Sequence, residues 1–171
     1  IDIAWEINKK LSFEFMFSMG NWIWNSSKTV FIPQYDSLEF TFDAKGVHVG
    51  DAAQTALAAA LRYEPIKNSY IKIQGQYFDR YYANFDPFSL KGANGGRDSW
   101  KIPAYSLVNV FGGYRYKQFS FGFAITNLLN TSFIADANNN QNGVYDQFNA
   151  QSATVMFGQG LRFNINLGIQ F

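Results

Sequence analysis

Residues 160–171 read GLRFNINLGIQF, and every second residue of this stretch is large and apolar. The apolar set is Leu161, Phe163, Ile165, Leu167, Ile169 and Phe171. Strict alternation with small or polar residues places the two sets on opposite faces of a β-strand. A tilted strand needs about 9–11 residues to cross a bilayer. The stretch therefore predicts a strand of a transmembrane barrel that presents its apolar face to lipid.

The composition agrees with a membrane barrel and excludes several other classes of protein. Of the 171 residues, 19% are aromatic, including 18 Phe and 10 Tyr, which is typical of barrels with aromatic girdles. Cysteine is absent, which excludes disulfides and thiolate metal sites. A net charge of +1 does not favour nucleic-acid binding. No apolar run approaches the ~20 residues of a transmembrane helix. Because the sequence starts at Ile1 inside an alternating stretch, we expect a C-terminal piece of a longer protein.

Six further segments alternate in the same way, at residues 1–8, 11–20, 52–63, 69–78, 105–116 and 119–126. Segment 52–63 is rich in alanine, so a helix is the alternative there, but its alternation favours a strand. Short turns follow the first, third and fifth segments. Long loops, at about 25–51, 84–102 and 131–158, follow the others, and the first should contain a hairpin. In an antiparallel sheet all short turns then lie at one end, as in outer-membrane barrels.

The ionisable residues inside these segments all take the polar face. They are Asp2, Glu6, Glu14, Arg62, Lys72, Arg115 and Arg162. A charge facing lipid costs about 2–4 kcal/mol at the middle of the bilayer, which accounts for the pattern. The smallest membrane barrels have about 8 strands, and open edges are not viable in lipid. We therefore expect the remaining strands to come from the rest of a longer chain.

Several motifs resemble those of TonB-dependent outer-membrane receptors, of the SusC-like nutrient-uptake type found in Bacteroidetes. They are GVHVGDAAQ at 46–54, WKIPAY at 100–105, NLLN at 127–130, FIADA at 133–137 and GQGLRF at 158–163. NLLN is the most specific of them, and the resemblance covers essentially the whole chain. It implies an all-β antiparallel barrel of 22 strands, crossing the bacterial outer membrane many times, of which residues 1–171 are the last seven strands. It also implies an N-terminal plug outside this sequence.

The same resemblance implies the partners of the protein. These are the lipids of the outer membrane, a surface SusD-like lipoprotein, the TonB complex through the missing plug region, and the outer-membrane assembly machinery. A terminal aromatic on the last strand is what that machinery recognises, which predicts an assembly role for Phe171. No cofactor is implied.

Two groups of side chains are candidates for binding. Five aromatic residues at or above the outer rim could form a stacking platform for a sugar or another flat ligand, and an interfacial aromatic belt is the alternative. They are Trp22, Trp24, Tyr81, Tyr82 and Trp100. The loop aromatics Phe31, Tyr35, Phe85 and Tyr145 are weaker candidates of the same kind.

Near the short turns, Arg62, Lys72 and Arg115 should form a basic cluster inside the barrel, partly neutralised by Glu14. This cluster could contact the plug. A hydrated lumen is the alternative.

The sequence does not indicate an enzyme. His48 is the only histidine, and it lies in a long loop among glycine and valine, which favours a packing or solvated role. The stretch at 136–140, DANNN, suggests a weak calcium loop, but the EF-hand positions that need Gly and Glu hold Gln141 and Gln147. We therefore predict active uptake of a nutrient such as an oligosaccharide or a peptide, with a chelated metal also open. The alternatives are a passive or autotransporter-type pore and a soluble β-barrel binder.

Overall fold

The computed structural model describes residues 1–32, 38–139 and 148–170, and strands dominate these residues. The strands are β1 Asp2–Asn8, β2 Leu11–Met19, β3 Lys28–Ile32, β4 Leu38–Phe42, β5 Thr55–Tyr63, β6 Ser69–Asp79, β7 Tyr81–Tyr82, β8 Lys101–Ile102, β9 Tyr105–Tyr116, β10 Phe119–Thr126, β11 Ile134–Asn139, β12 Ala153–Phe157 and β13 Arg162–Ile169. Two single-turn 3-10 helices, Pro87–Ser89 and Gly92–Asn94, lie between β7 and β8. Within the described ranges, no helix has the length and apolar character needed to cross a membrane.

Seven strands form one antiparallel sheet in the order β1-β2-β5-β6-β9-β10-β13. These are the seven segments that the alternation predicted, so the fold class is confirmed. The alanine-rich segment forms β5, and the alternative of a helix there is wrong. The last strand is shorter than the alternating stretch, because it begins at Arg162 and ends at Ile169. All three short turns lie at one end of the sheet, since consecutive strands of each hairpin are antiparallel neighbours.

The register joins one residue from each of the seven strands into continuous rows across the sheet. One row takes an apolar residue from each of the seven strands: Trp5, Phe13, Leu61, Ile73, Val110, Ile125 and Phe163. The next row, on the opposite face, is Glu6, Ser12, Arg62, Lys72, Phe111, Ala124 and Asn164. Since side chains alternate strictly along a strand, the predicted segregation of charge to one face is confirmed. We call the two faces the apolar face and the polar face.

The apolar face of the sheet is exposed on the described chain. Trp5 is 60% exposed, Ile73 52% and Phe163 68%. A soluble monomer rarely exposes apolar surface that runs on across a whole sheet. This face therefore has the character expected of a surface that contacts lipid.

Three two-stranded hairpins extend the long-loop end of the sheet. They pair β3 with β4, β7 with β8, and β11 with β12. The hairpin in the first long loop was predicted from the sequence and is confirmed. The other two were not predicted, because β7 and β8 contain only two residues each and β11 does not alternate strictly between apolar and polar residues.

Most of the deeply buried apolar side chains lie in the long loops, and Ala60 of β5 is the exception among the described residues. Two clusters contain most of them: Ala44, Val47, Leu90 and Phe148 in one, and Ala83, Ile102 and Ala137 in the other. Each cluster draws residues from at least two of the three long loops. We call the described residues of these loops, within 20–54, 80–104 and 127–161, the outer loop layer.

Candidate functional site

Backbone hydrogen bonds join the three long loops into one unit. The amide of Asn84 donates to the carbonyl of Ala137 at 2.8 Å, and the amide of Asn139 donates to the carbonyl of Asn84 at 2.8 Å. The amide of Asp43 donates to the carbonyl of Leu90 at 2.8 Å. Because buried backbone groups are costly to leave unpaired, the middle loop holds both of its neighbours in place.

A buried glutamine and an arginine connect this layer to the sheet. Gln54 is 1% exposed, and its side chain both accepts a hydrogen bond from the Trp22 amide at 3.0 Å and donates to the Trp22 carbonyl at 2.8 Å. The Arg80 guanidinium donates to the carbonyls of Gly20 at 2.7 Å and Gln54 at 3.0 Å. The side chain of Gln54 therefore acts as a substitute for a strand partner and fixes the backbone of Trp22.

Trp22 and Trp24 lie where the first long loop leaves β2. A Cβ atom added to Gly20 would come within 2.6 Å of the Trp22 indole, so the indole covers Gly20. Gly20 continues the alternation of Ser12, Glu14 and Ser18 on the polar face. Trp22 therefore lies on the side of the polar face, at the long-loop end of the sheet, which we call the mouth. Trp24 packs edge-on against Phe85, with ring centroids 6.2 Å apart, and both tryptophans remain 43% exposed.

The other three candidate aromatics are engaged within the outer loop layer. Tyr82 stacks on His48 with ring centroids 4.0 Å apart and 4° between the planes. Tyr81 and Trp100 pack against the cluster of Ala83, Ile102 and Ala137. The Tyr81 hydroxyl also donates to the carbonyl of Ala135 at 2.8 Å. The structure thus leaves Trp22 and Trp24 partly exposed at the start of the first long loop but places Tyr81, Tyr82 and Trp100 in loop packing.

His48 serves as a contact between the first and second long loops. Its Nδ1 lies 2.6 Å from Asp98 Oδ2, and its amide donates to Asp98 Oδ1 at 2.9 Å. Burial, and next the charge of Asp98, raise the pKa of Tyr82, so its stacked phenol stays neutral at ordinary pH. Nearby, the hydrogen bond with Asp79 raises the pKa of Lys101. The contacts of His48 with Tyr82 and Asp98 agree with the packing role predicted for His48.

Arg62 links the members of the predicted basic cluster, because it adjoins Lys72 in the sheet and shares a pocket with Arg115. Lys72 Nζ lies 2.5 Å from Glu14 Oε2, so Glu14 neutralises Lys72 as expected. Arg62 pairs with Glu64 at 3.0 Å, and its guanidinium carbon lies 3.9 Å from the Tyr70 ring centroid. Arg115 lies four residues along β9 from Phe111, the partner of Lys72, which is about 13 Å at the rise of a strand. Arg62 is the cross-strand partner of Lys72, while Arg62 and Arg115 line one pocket near the short turns.

The NLLN motif at residues 127–130 closes the seam between β9, β10 and β13. Asn127 is 4% exposed. Its Nδ2 donates to the carbonyls of Thr131 at 2.9 Å and Gln159 at 3.0 Å, and its Oδ1 accepts from the Thr131 amide at 2.8 Å. The Leu161 amide donates to Asn130 Oδ1 at 2.9 Å. The motif therefore ties the start of β13 to the end of β10.

Asn109 completes this seam, and sequence reasoning did not single it out. Its Oδ1 accepts from the Asn127 amide at 2.9 Å, and its Nδ2 donates to Gln76 Oε1 at 3.0 Å. Both motif asparagines have positive φ, 51° at Asn127 and 49° at Asn130. Asparagine tolerates this conformation better than most residues, which is the signal that could have predicted two tight bends.

Several predicted residues lie outside the described part of the chain. These are Phe171, Tyr35 and Tyr145, the side chain of Phe31, and residues 140–147 of the suggested calcium loop. Residues 136–139 of that loop belong to β11. Among the described residues, no group of three or more His, Asp or Glu side chains could hold a metal ion. Calcium binding and the assembly role of Phe171 stay predictions.

The chain resembles the structures of several receptors. It aligns with the ferric yersiniabactin uptake receptor FyuA of Yersinia pestis at TM-score 0.65 and 13% identity, covering 99% of this chain and 22% of that one. It aligns with the siderophore receptor PiuA of Acinetobacter baumannii at TM-score 0.60 and 12% identity, covering 97% of this chain and 20% of that one. It aligns with the open form of the ferric-catecholate import receptor Fiu of E. coli K12 at TM-score 0.54 and 10% identity, covering 99% of this chain and 20% of that one.

Comparison by sequence adds nothing to this result, because no protein-family model and no curated protein match the chain. The chain spans about one fifth of the length of the structures that it resembles. At these identities the likeness concerns the fold. The chain has the fold of one segment of the β-barrel that these TonB-dependent receptors share.

Proposed function

We propose that this chain forms wall and outer loops of a TonB-dependent importer in the bacterial outer membrane. The observation that carries the proposal is the two-faced sheet, with an apolar residue from every strand in one row and charges confined to the other face. Such a sheet separates lipid from a polar lumen. The likeness to uptake and import receptors supports transport over catalysis.

The ligand for this importer is a nutrient too large for passive pores, such as an oligosaccharide, a peptide or a chelated metal. The receptors of similar fold are described as siderophore receptors or as receptors for ferric yersiniabactin and ferric catecholates, which supports the chelated metal. The SusC-like motifs support an oligosaccharide or a peptide, with a surface SusD-like lipoprotein as a partner. Contact with TonB would be made by a plug region outside this sequence.

Trp22 and Trp24 are the residues that we propose to contact the ligand. Both are 43% exposed, and the Trp22 indole covers Gly20 on the polar-face side. An interfacial belt would need these rings on the apolar face. Flat indole rings that are fixed at the mouth of a polar channel offer stacking surface with little loss of side-chain entropy.

Transport is tested by measuring uptake of labelled nutrients in cells that express the full-length receptor, with and without TonB. We expect uptake that needs both the receptor and TonB. Uptake that persists without TonB, together with a steady conductance of the reconstituted protein, would indicate a passive pore and contradict the proposal.

The ligand-contacting residues are tested by titrating the full-length receptor with the nutrient that it imports. W22A and W24A should each weaken binding about 2- to 13-fold, since stacking contacts contribute about 0.5–1.5 kcal/mol. W5A is the matched control, because Trp5 lies in the apolar row and should not contact the ligand. Equal affinities for W22A, W24A and W5A would remove the two tryptophans from the binding site.

A further inference from the structure

Charge is distributed unequally between the two ends of the sheet. The three short turns, at residues 9–10, 64–68 and 117–118, contain four lysines and one glutamate. The glutamate, Glu64, is already paired with Arg62. The long loops contain eight acidic residues and six lysines or arginines. In the described part of the chain, the short-turn end is therefore a basic rim.

All four lysines of the basic rim, Lys9, Lys10, Lys67 and Lys117, are exposed. Lys10 Nζ donates to the carbonyl of Pro65 at 3.1 Å, which brings the first and second turns together. Lys117 Nζ lies 5.4 Å from the centroid of the Tyr116 ring. The lysines thus occur on every short turn, and two of them are held against neighbouring groups.

Shallow grooves lie on the apolar face directly beside these turns. One groove is lined mainly by Tyr114, Tyr116, Phe119, Phe121, Leu167 and Ile169. Tyr116, Phe119 and Ile169 form the row nearest the third turn. A second groove, next to Lys67, is lined by Ile66, Ile71 and Phe123 among others. Ile66 lies in the second turn and is 60% exposed although it is apolar.

We propose that the basic rim and these grooves bind anionic phospholipid from the leaflet that the short turns face. The acyl chains would lie in the grooves, and the phosphate groups would meet the lysines just beyond the last apolar row. Lysine side chains near a membrane surface reach toward the headgroups while their stems cover apolar surface. An anionic leaflet attracts such residues, and salt weakens the attraction. The inference rests on insertion in a membrane but not on transport.

The position of the lysines favours lipid over a soluble acidic protein. A partner protein would meet turns at the rim alone, whereas here the charges adjoin grooves that are almost entirely apolar. Tyrosine and lysine together are typical of the boundary between hydrocarbon and headgroups. Arg62 and Lys72 take no part, because they lie on the polar face and are paired with carboxylates.

The test uses the full-length receptor in phosphatidylethanolamine vesicles, with a bimane label at I169C beside the basic rim. Quenching by dibrominated phosphatidylglycerol is compared with quenching by dibrominated phosphatidylcholine. We expect the association constant at this site to favour phosphatidylglycerol about 2- to 5-fold in 0.1 M salt. A second label at L57C, in the row near the long loops, should report a ratio near one.

The triple variant K9Q/K67Q/K117Q should bring the ratio at I169C close to one, as should 0.5 M salt. K28Q/K45Q/K91Q removes the same charge from the long loops and should change nothing. Heat-modifiable mobility on gels checks assembly, and K117Q alone serves if the triple variant assembles poorly. If the two lipids have equal association constants at I169C in the parent, the lysines do not select anionic lipid. That result would favour a protein partner and overturn the proposal. A preference that survives loss of the lysines would overturn it as well.

Discussion

Replacing Asn127 by alanine should open the seam between β10 and β13. The change removes three side-chain hydrogen bonds, to both the amide and the carbonyl of Thr131 and to the carbonyl of Gln159. At about 0.5–1.5 kcal/mol each, these bonds amount to about 1.5–4.5 kcal/mol. Alanine must also adopt a φ of 51°, which costs about 1–2 kcal/mol. The free energy of local opening should therefore fall by about 3–6 kcal/mol.

Hydrogen exchange measured by mass spectrometry on the full-length receptor in detergent gives the local opening free energy. A loss of 3 kcal/mol corresponds to exchange about 150-fold faster, expected in peptides covering residues 127–131 and 158–162. N127G removes the same bonds but tolerates the positive φ, so its effect should be about 10-fold smaller than that of N127A. N164A is the matched control, because Asn164 is exposed on the polar face of β13. Exchange in N127A within threefold of the parent would refute the role of the motif as a structural seam.

Three further predictions concern folding, assembly and the lumen. The isolated 171 residues should aggregate in plain buffer, because the apolar face and both sheet edges are open; a monodisperse, cooperatively melting sample would contradict this. Deleting Phe171 from the full-length receptor should lower its amount in the outer membrane while synthesis continues, and unchanged levels of heat-modifiable barrel would argue against an assembly signal. Replacing Arg62, Lys72 and Arg115 by Gln should raise ion conductance at constant barrel levels if they hold the plug; a variant as tight as the parent would leave the hydrated lumen.

The outer loop layer alters one expectation for loop deletions. From the sequence, trimming residues 25–51 or 131–158 should impair ligand capture more than assembly. In the structure, Val47 and Phe148 from these two loops share a cluster with Leu90 of the middle loop. Each deletion should therefore also speed hydrogen exchange in residues 84–102, and unchanged exchange there would show that the loops are independent.

The sequence by itself determined the strands, their faces and the class of fold. Alternation has a period of two residues, so the face of each side chain follows from position alone. This is why the parity of their positions was enough to assign the seven charges, from Asp2 to Arg162, to one face. It is also why β5 could be preferred to a helix in spite of its alanines.

Tertiary structure decided which of these residues meet. Lys72 finds Glu14 across β5, and Asn127 bonds to Gln159, which is 32 positions away in the chain. His48 meets Tyr82 and Asp98 only because two long loops fold onto each other. Long loops carry no regular period, and their contacts join residues distant in sequence. Only the packed chain could therefore separate Trp22 and Trp24, which remain half exposed at the mouth, from aromatic residues that hold the loops together.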